Sequence, residues 1–169
     1  REIITEGWDM LKRNISKVSS LVKDFLSFSK GRKPDTQLVD PNILVDDIYD
    51  LYKDTAKQIG VNLERKPPKK INSAQLDPDG IHTCLTNLVS NAIDACQMSS
   101  KDLCTVKLDV YDKDHILMFE VSDDGCGLDY TIKEKVFTTF FTTKGGKGTG
   151  LGLLTTRKIV QEHGGKVLV

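Results

Sequence analysis

Three polar side chains share one face of a predicted helix in the stretch LTNLVSNAIDA: Asn87, Asn91 and Asp94. At about 100° per residue, the apolar residues of this stretch collect on the opposite side. Exposed helix faces mostly carry Lys, Glu and Arg, because Asn is a poor helix former. The two Asn side chains offer uncharged oxygen ligands and amide donors, which suit a hard cation and its phosphate oxygens. The face is either an ordinary solvated surface or a site for a metal ion and phosphates.

A second candidate is the stretch SDDGCGL, where Asp123 follows an alternating apolar segment and Gly125 and Gly127 complete a D-x-G-x-G pattern. A carboxylate at the end of a strand can accept a hydrogen bond from an exocyclic amine such as that of adenine. Glycine lets the backbone approach a flat ring closely. An ordinary turn explains Asp-Gly equally well, so both interpretations stay open.

The glycine-rich segment GGKGTGLGL is the third candidate. Lys147 is followed by Gly148, where a P-loop requires Ser or Thr. Gly148, Gly150 and Gly152 alternate strictly, which differs from the dinucleotide pattern G-x-G-x-x-G. Glycines that lead into a helix N-terminus offer backbone N–H groups and a positive dipole end. The segment therefore predicts an anion-binding loop of another kind.

The composition limits which proteins can carry these motifs. The chain has 169 residues, 38% of them hydrophobic and 28% charged, as in one ordinary soluble domain or one small domain with an appendage. Its 24 basic and 24 acidic residues cancel, so nucleic acid is not an expected partner. The four cysteines form no C-x-x-C motif, which predicts a reduced, cytoplasmic chain without a zinc site. The missing initiator Met and the final alternation GKVLV predict a fragment, and any membrane spans or sensors would lie in the missing parts.

The first segment predicts a helix with a coiled-coil or bundle seam. Its apolar residues follow a 4-3-4-3-4-3 spacing: Ile4, Trp8, Leu11, Ile15, Val18, Val22 and Phe25. One helix cannot bury such a stripe alone, so we expect dimerisation through a helical bundle. The alternative is a helix that lies on its own domain. Gly31 and Pro34 end the helix and begin a short linker.

From residue 34 onward the pattern predicts an α/β (α+β) two-layer sandwich, with a mixed sheet covered on one face by helices. The strands are expected at TQLVD, VNLER, TVKLDVY, ILMFEVSD and the final GKVLV, and the turn DKDH joins the third and fourth as a hairpin. The helices run from Asp40-Pro41 to about Ile59, from Asp77-Pro78 to near Met98 and from about Leu151 to His163. The basic segment KPPKK is predicted to be an exposed turn.

Five stretches, NLVSNAIDA, DDGCG, VFTTFFTTK, GTGLGL and HGG, occur in the order and at the intervals of sensor histidine kinases. Over about residues 38–169 the chain resembles the ATP-binding catalytic domain of those kinases, in the superfamily shared with DNA gyrase, the Hsp90 chaperones and the MutL proteins. The resemblance implies a Bergerat-type ATP-binding fold for residues 34–169, with a truncated last strand. Residues 1–33 resemble the second helix of the dimerisation and phosphotransfer domain.

The resemblance also implies ATP and Mg²⁺ as ligands. Asn91 would coordinate Mg²⁺ with Asn87 beside it, Asp123 would bind the adenine amine, and Gly125 and Gly127 would make room for the base. The other residues implied at the ATP site lie on the same helix face or in a lid over the phosphates: Asp94, Phe140, Lys144, Gly148, Thr149, Gly150, Leu151 and Gly152. Asn91 is expected to be catalytic through its metal ion. Lys144 is either a second catalytic residue at the terminal phosphate or an exposed loop lysine, and Phe140 anchors the lid.

The remaining question is what the bound ATP does. In the ATPases of the superfamily, a Glu four residues before the metal-binding Asn activates water. Asn87 stands there, and a neutral amide is a poor general base. A histidine kinase domain is thus expected, acting on a histidine outside this chain and serving a response regulator. All three histidines are predicted to be structural: His82, which is expected near the apolar side of its helix, His115 and His163. The alternatives are a non-catalytic ATP-binding regulator and an ATPase of the gyrase or chaperone type.

Overall fold

The computed structural model describes residues 7–8, 10–12, 14–15, 18–19, 22, 26, 33–133, 135–138 and 150–169. Five strands lie within these residues: β1 (Gln37–Val39), β2 (Val61–Arg65), β3 (Ala74–Leu76), β4 (Cys104–Lys113) and β5 (Ile116–Asp123). Four helices have defined bounds: α1 (Pro41–Gln58), α2 (Pro78–Gln97), α3 (Tyr130–Lys133) and α4 (Gly152–Glu162). The strand β3 and the short helix α3 are additions to the predicted elements.

The main sheet is mixed, as predicted. Its order is β2–β4–β5, with β2 parallel and β5 antiparallel to the central β4. β1 and β3 form a separate antiparallel pair. The predicted hairpin is present, and its turn residues Asp114 and His115 both have positive φ, as a two-residue turn between twisted strands requires.

Capping residues begin α1 and α2 where the sequence predicts them. The Asp40 side chain accepts a hydrogen bond from the Asn42 N–H, and the Asp77 side chain accepts one from the Gly80 N–H. A proline follows each cap in the first turn. Gly60, with φ of +75°, ends α1 where a residue with a side chain would be strained. Local chemistry thus sets where both helices begin.

α1 and α2 pack against the main sheet to form the core. The core comprises apolar residues from both helices and from β2, β3 and β4, and seven of them are at most 1% exposed: Val45, Ile48, Ala56, Val89, Val106, Leu108 and Val110. β4 is buried over its central part because strands flank it on both sides and helices cover it. This two-layer arrangement is the predicted fold class. Among the described helices, none is long and apolar enough to cross a membrane.

The predicted last strand is not formed. Gly164, with φ of +75°, closes α4, and the Gly165 N–H donates to the Val160 carbonyl at 2.8 Å, as in a Schellman motif. The following residues 165–169 pair with no strand of the described chain, and Leu168 is 81% exposed. An alternating apolar pattern expresses strand propensity only, and a strand forms when a neighbouring strand supplies hydrogen bonds.

At the N-terminal end, every described residue between positions 7 and 26 is helical. The described members of the predicted seam are between 48% and 60% exposed: Trp8, Leu11, Ile15, Val18 and Val22. The seam residues Ile4 and Phe25 lie outside the described residues. Within a single chain, therefore, the described part of this apolar stripe stays exposed.

The prediction of a wholly reduced chain is wrong. Cys96, at the end of α2, and Cys104, at the start of β4, form a disulfide with a Cα–Cα distance of 5.4 Å. The two positions are 8 residues apart and match no familiar motif, but the connection after α2 turns the chain back into the neighbouring strand. Cys84 and Cys126 are free thiols, the first buried and the second exposed.

The basic segment KPPKK has a structural partner. Lys69 lies 2.8 Å and Lys66 lies 3.6 Å from a carboxylate oxygen of Asp109, which is 4% exposed on β4. Burial by itself raises the pKa of Asp109, but the hydrogen bond and charge of Lys69 and the charge of Lys66 outweigh it and lower that pKa. The lysines of this segment thus form ion pairs with the sheet at Asp109.

Candidate ATP-binding site

The polar face of α2 lies beside the start of α4. The Asn87 Nδ2 donates to the Gly152 carbonyl at 3.0 Å and to the Thr156 Oγ1 at 3.3 Å. An added Cβ at Gly152 would lie 3.4 Å from the Asn87 side chain, an ordinary contact distance. Asn87, a predicted site residue, thus connects α2, which carries the predicted metal site, to α4, which follows the predicted lid.

Behind this contact, the packing between α2 and α4 is buried. The Cys84 Sγ lies 3.8 Å from the Thr156 carbonyl, and Thr155 and Thr156 are at most 4% exposed. Burial raises the pKa of the Cys84 thiol to about 12, so the thiol stays neutral. Leu151, which precedes α4, is 1% exposed. These apolar and neutral contacts hold the N-terminus of α4 at a defined place beside Asn87.

Asn91 and Asp94 continue the polar face of α2, and both are partly exposed. Asp94 lies near Tyr52 of α1, where burial first and the charge of Asp94 second raise the pKa of the tyrosine. The three polar residues predicted for this face therefore lie along one edge of α2, between the start of α4 and α1. Asn91 is the central one of the three and is accessible to a ligand.

Residues 123–127 form the loop that is predicted to contact adenine, and we call it the adenine loop for that prediction. The Asp123 Oδ1 accepts a hydrogen bond from the Gly125 N–H at 3.0 Å, and Asp123 is exposed at the end of β5. A carboxylate has capacity for further donors beyond this one. Gly127 has φ of +72°, a conformation that favours glycine. The D-x-G-x-G pattern thus forms a turn that leaves a carboxylate at the surface. Its interpretations as an ordinary turn and as an adenine contact are therefore compatible.

Gly125 is needed for a close approach of two backbones. A Cβ at this position would lie 2.6 Å from the carbonyl carbon of Ala95 and 2.8 Å from the backbone nitrogen of Cys96. The neighbouring Cys126 N–H donates to the Ala95 carbonyl at 3.1 Å. The adenine loop therefore rests directly on the last turn of α2, which brings it to the same helix that carries Asn91.

Asp124 anchors the adenine loop on its other side, a role that sequence reasoning did not assign. Its Oδ1 accepts the Thr105 N–H at 2.7 Å, and its own N–H donates to the Thr105 carbonyl at 3.2 Å. Hydrogen bonds from the Thr105 backbone and from Lys101 lower the pKa of Asp124. The adjacent carboxylates thus differ: Asp124 is engaged within the protein, and Asp123 faces outward. The repeated Asp in SDDGCGL was the available signal.

The N-terminus of α4 is suited to an anion. Gly150 has φ of +68° and leads into Leu151 and then into α4. No side chain of residues 150–169 caps this helix. Backbone N–H groups and the positive dipole end are accordingly offered at its start. Four predicted site residues of the lid lie outside the described residues: Phe140, Lys144, Gly148 and Thr149.

The three histidines have separate positions. The His163 Nε2 accepts the Asp77 N–H at 3.0 Å, and its Nδ1 lies 2.7 Å from the Ile159 carbonyl, which makes Nδ1 the donor. His163 thus connects the end of α4 to the start of α2, as a structural residue. His115 lies in the hairpin turn. The prediction that His82 lies near the apolar side of α2 is wrong, because the residue is exposed. It lies about 100° around the helix axis from the buried Ile81.

Among the described residues, one cluster of two cysteine sulfurs and a carboxylate, formed by Cys96, Cys104 and Asp124, has atoms close enough to hold a metal ion. The disulfide occupies both sulfurs, so thiolate ligands are not present in this form. Mg²⁺ requires oxygen ligands, which Asn91 and Asp94 offer on the exposed edge of α2. The oxygen atoms of Asn91 and Asp94 on α2 therefore fit Mg²⁺ better than the cluster that contains the two cysteines.

A mixed sheet with helices on one face, an exposed carboxylate at a strand end and a helix start without a side-chain cap among residues 150–169 agree with the predicted ATP-binding domain of the Bergerat type. The family model described as histidine kinase-, DNA gyrase B-, and HSP90-like ATPase matches residues 76–169, more than half of the chain. The chain belongs to this family, as a histidine kinase ATPase domain.

Known relatives and structures agree with this assignment. The signal transduction histidine-protein kinase AtoS of Escherichia coli (strain K12) is 27% identical, over 97% of this chain and 26% of AtoS. The catalytic domain of histidine kinase ThkA is 30% identical with a TM-score of 0.66, over 79% of this chain and 86% of that one. The chain thus spans about a quarter of a whole kinase of the AtoS type.

Two larger structures share the fold. ThkA in complex with the response regulator protein TrrA is 28% identical with a TM-score of 0.76, over 94% of this chain and 45% of that chain. Full-length ShkA in complex with AMPPNP is 21% identical with a TM-score of 0.78, over 94% of this chain and 34% of that chain. The similarity to ShkA shows the fold alone.

Proposed function

We propose that this chain is the kinase domain of a two-component sensor histidine kinase, which transfers the γ-phosphate of Mg-ATP to a histidine on a helix outside this chain. The phosphate then passes to a response regulator. The observation that carries the proposal is the state of Asn87. Its amide nitrogen donates to Gly152 and Thr156. At the position where ATPases of the superfamily have a catalytic Glu, a neutral amide engaged in packing cannot activate water.

The roles of the site residues follow from their positions. Asp123 accepts the exocyclic amine of adenine, and Gly125 and Gly127 bring the loop close to the ring. Asn91 holds the ion, with Asp94 beside it on α2. Mg²⁺ supplies charge neutralisation for the phosphates when it is bound. Asn87 positions the start of α4, so that its N–H groups meet the phosphate oxygens.

The adenine assignment is tested by Asp123→Ala. We expect ATP binding to weaken at least tenfold, because a hydrogen bond to a charged group contributes about 1.5–3 kcal/mol. The matched control is Asp54→Ala, which removes an exposed carboxylate on α1 without touching the adenine loop. Calorimetric titration with ATP measures both variants. Unchanged ATP affinity in a folded Asp123→Ala protein would refute the assignment.

The metal assignment is tested by Asn91→Ala in the full-length kinase. We expect phosphotransfer to be lost while the fold persists, since α2 keeps its buried face. Radiolabelled phosphate on the acceptor histidine is the readout. Normal transfer by Asn91→Ala at low Mg²⁺ would exclude this residue as the metal ligand.

The kinase assignment itself is tested by the fate of ATP. The chain should bind ATP, hydrolyse it at no more than a background rate and support phosphotransfer when an acceptor helix is supplied. Multiple-turnover hydrolysis by this chain would instead indicate an ATPase of the gyrase or chaperone type. ATP binding with neither hydrolysis nor transfer to a supplied acceptor would indicate a non-catalytic regulator.

Dimerisation through residues 1–33 and phosphate transfer to the receiver domain of a response regulator complete the proposal. The exposed apolar residues of this segment, such as Trp8, Ile15 and Val18, support a bundle with a second chain. Sedimentation of the chain against a variant that starts at residue 34 tests this point. Monomers in both cases would refute dimerisation through residues 1–33.

A further inference from the structure

The disulfide lies directly beneath the adenine loop. Cys96 is 4% and Cys104 is 3% exposed, and the two residues join the last turn of α2 to the first residue of β4. The seven residues between them, 97–103, are exposed apart from the partly buried Ser99. The bond therefore ties together two elements that a seven-residue surface loop connects along the chain.

The hydrogen bonds of the adenine loop go to the residues next to each cysteine. The Cys126 N–H donates to the carbonyl of Ala95, which precedes Cys96. Asp124 exchanges two hydrogen bonds with the backbone of Thr105, which follows Cys104, at 2.7 and 3.2 Å. The adenine loop thus bridges the same two elements that the disulfide joins.

The segment enclosed by the disulfide also holds the loop. The Lys101 Nζ donates to the backbone carbonyl of Asp124 at 2.6 Å and lies 3.2 Å from its Oδ2. The Asp124 carboxylate has an oxygen within 4.8 Å of both sulfurs. The adenine loop thus contacts the end of α2, the start of β4 and the segment between them. A change in the distance between α2 and β4 therefore affects all three contacts.

We propose that Cys96 and Cys104 form a reversible thiol–disulfide site that sets the affinity of the adenine loop for ATP. The proposal rests on the ATP-binding function assigned above. In the oxidised form, the bond holds Ala95 and Thr105 at the spacing that the loop requires. In the reduced form, the end of α2 and the start of β4 separate more freely, and Asp123 occupies its binding position for a smaller fraction of the time.

The chemistry requires a dithiol reductant. One of its thiolates attacks a sulfur of the pair, the Cys96–Cys104 bond breaks, and a mixed disulfide forms with the second cysteine released as a thiol. The second reductant thiol then displaces the other cysteine. The products are two cysteine thiols and the disulfide of the reductant, so two electrons and two protons pass to the protein. A disulfide oxidant of the same class reverses the exchange.

Population shift relates the size of the effect to the fraction of molecules whose loop can bind ATP. The apparent dissociation constant rises by the inverse of the fraction of molecules whose loop is competent to bind. If reduction leaves about one molecule in five competent, ATP binding weakens about fivefold. The other contacts of the loop persist in both forms, so ATP binding is weakened rather than abolished.

The test measures ATP affinity of the same protein in both redox states. The chain is incubated with oxidised or reduced dithiothreitol, and alkylation under denaturing conditions with mass spectrometry counts the thiols. We expect two free thiols after oxidation and four after reduction, since Cys84 and Cys126 are free in both. Calorimetric titration should then give about fivefold weaker ATP binding by the reduced protein.

Two variants separate this pair from the exposed thiol. The double variant Cys96→Ser with Cys104→Ser should bind ATP as the reduced protein does, whatever the redox state. Cys126→Ser should keep the ratio between oxidised and reduced affinity. Four free thiols after oxidation, equal affinities in two verified redox states, or a ratio that persists in the double variant would overturn the proposal. If neither form binds ATP although circular dichroism shows both folded, the ATP-binding function fails as well.

Discussion

The substitution Gly125→Ala tests the packing on which the whole nucleotide site depends. The new Cβ would lie 2.6 Å from the carbonyl carbon and 2.7 Å from the oxygen of Ala95, and 2.8 Å from the nitrogen of Cys96. These atoms belong to a helix backbone, so no side chain can rotate away. Non-bonded carbon atoms prefer about 3.5–4.0 Å, so the loop must move from α2 by about 1 Å.

Both stability and affinity should respond. Forcing an additional methyl group into a packed contact costs about 1–3 kcal/mol of unfolding free energy. The hydrogen bond from the Cys126 N–H to Ala95, at 3.1 Å, would stretch beyond its useful range. The carboxylate of Asp123 moves with the loop, and loss of a charge-assisted hydrogen bond of about 1.5–3 kcal/mol weakens ATP binding about tenfold to a hundredfold.

Urea unfolding and calorimetric titration with ATP measure the two effects. Gly60→Ala is the matched control, because Gly60 has φ of +75° and no atom within 4 Å of an added Cβ. It should lose about 1–2 kcal/mol of stability through backbone strain and keep its affinity for ATP. Wild-type affinity in a folded Gly125→Ala protein would refute the packing of the adenine loop on α2.

Three further substitutions test other contacts. For Asp109→Asn we expect a loss of about 2 kcal/mol of unfolding free energy at pH 7, because hydrogen bonds to a charged group are lost. Folding lowers the pKa of Asp109, so its stabilisation is present above the unfolded pKa of about 3.9 and is lost as pH falls through the lowered pKa of the folded state. A difference from wild type that does not depend on pH would contradict this expectation. Asn87→Ala should weaken ATP binding severalfold without producing hydrolysis, because the start of α4 loses its hydrogen bond to Asn87 at 3.0 Å. Measurable ATP turnover would contradict the positioning role of Asn87. His163→Ala should lower the unfolding free energy by about 1–2 kcal/mol in urea titrations, since the Asp77 N–H loses its acceptor, and unchanged stability would count against that contact.

Local signals were sufficient to predict most of the elements. Asp40 and Asp77, each followed by proline, begin the two long helices, and Gly60 ends the first of them. The two-residue turn of the hairpin and the Gly-Gly end of α4 also lie where their residues predict. These features depend on the backbone preferences of a few adjacent residues, so a single sequence contains the information.

Predictions that needed a partner elsewhere in the chain were less complete. The strand β3 forms because β1 lies opposite it, whereas the equally alternating segment from Lys166 to Val169 has no strand beside it in the described chain. The assignments of Asn91 and Asp123 to metal and adenine stay predictions, with their positions on α2 and at the end of β5 as support. Phe140 and Lys144 lie outside the described residues.

The order of the motifs, through their resemblance to sensor histidine kinases, was enough to predict an ATP-binding domain of that type, and the family model that matches residues 76–169 agrees with it. Only the folded chain revealed that Cys96 meets Cys104, that Asp124 fastens the adenine loop to Thr105, and that the Asn87 amide joins two helices. Each of these contacts joins separate elements of the fold. Their distances depend on how helices and strands pack, and no local pattern of residue types contains that information.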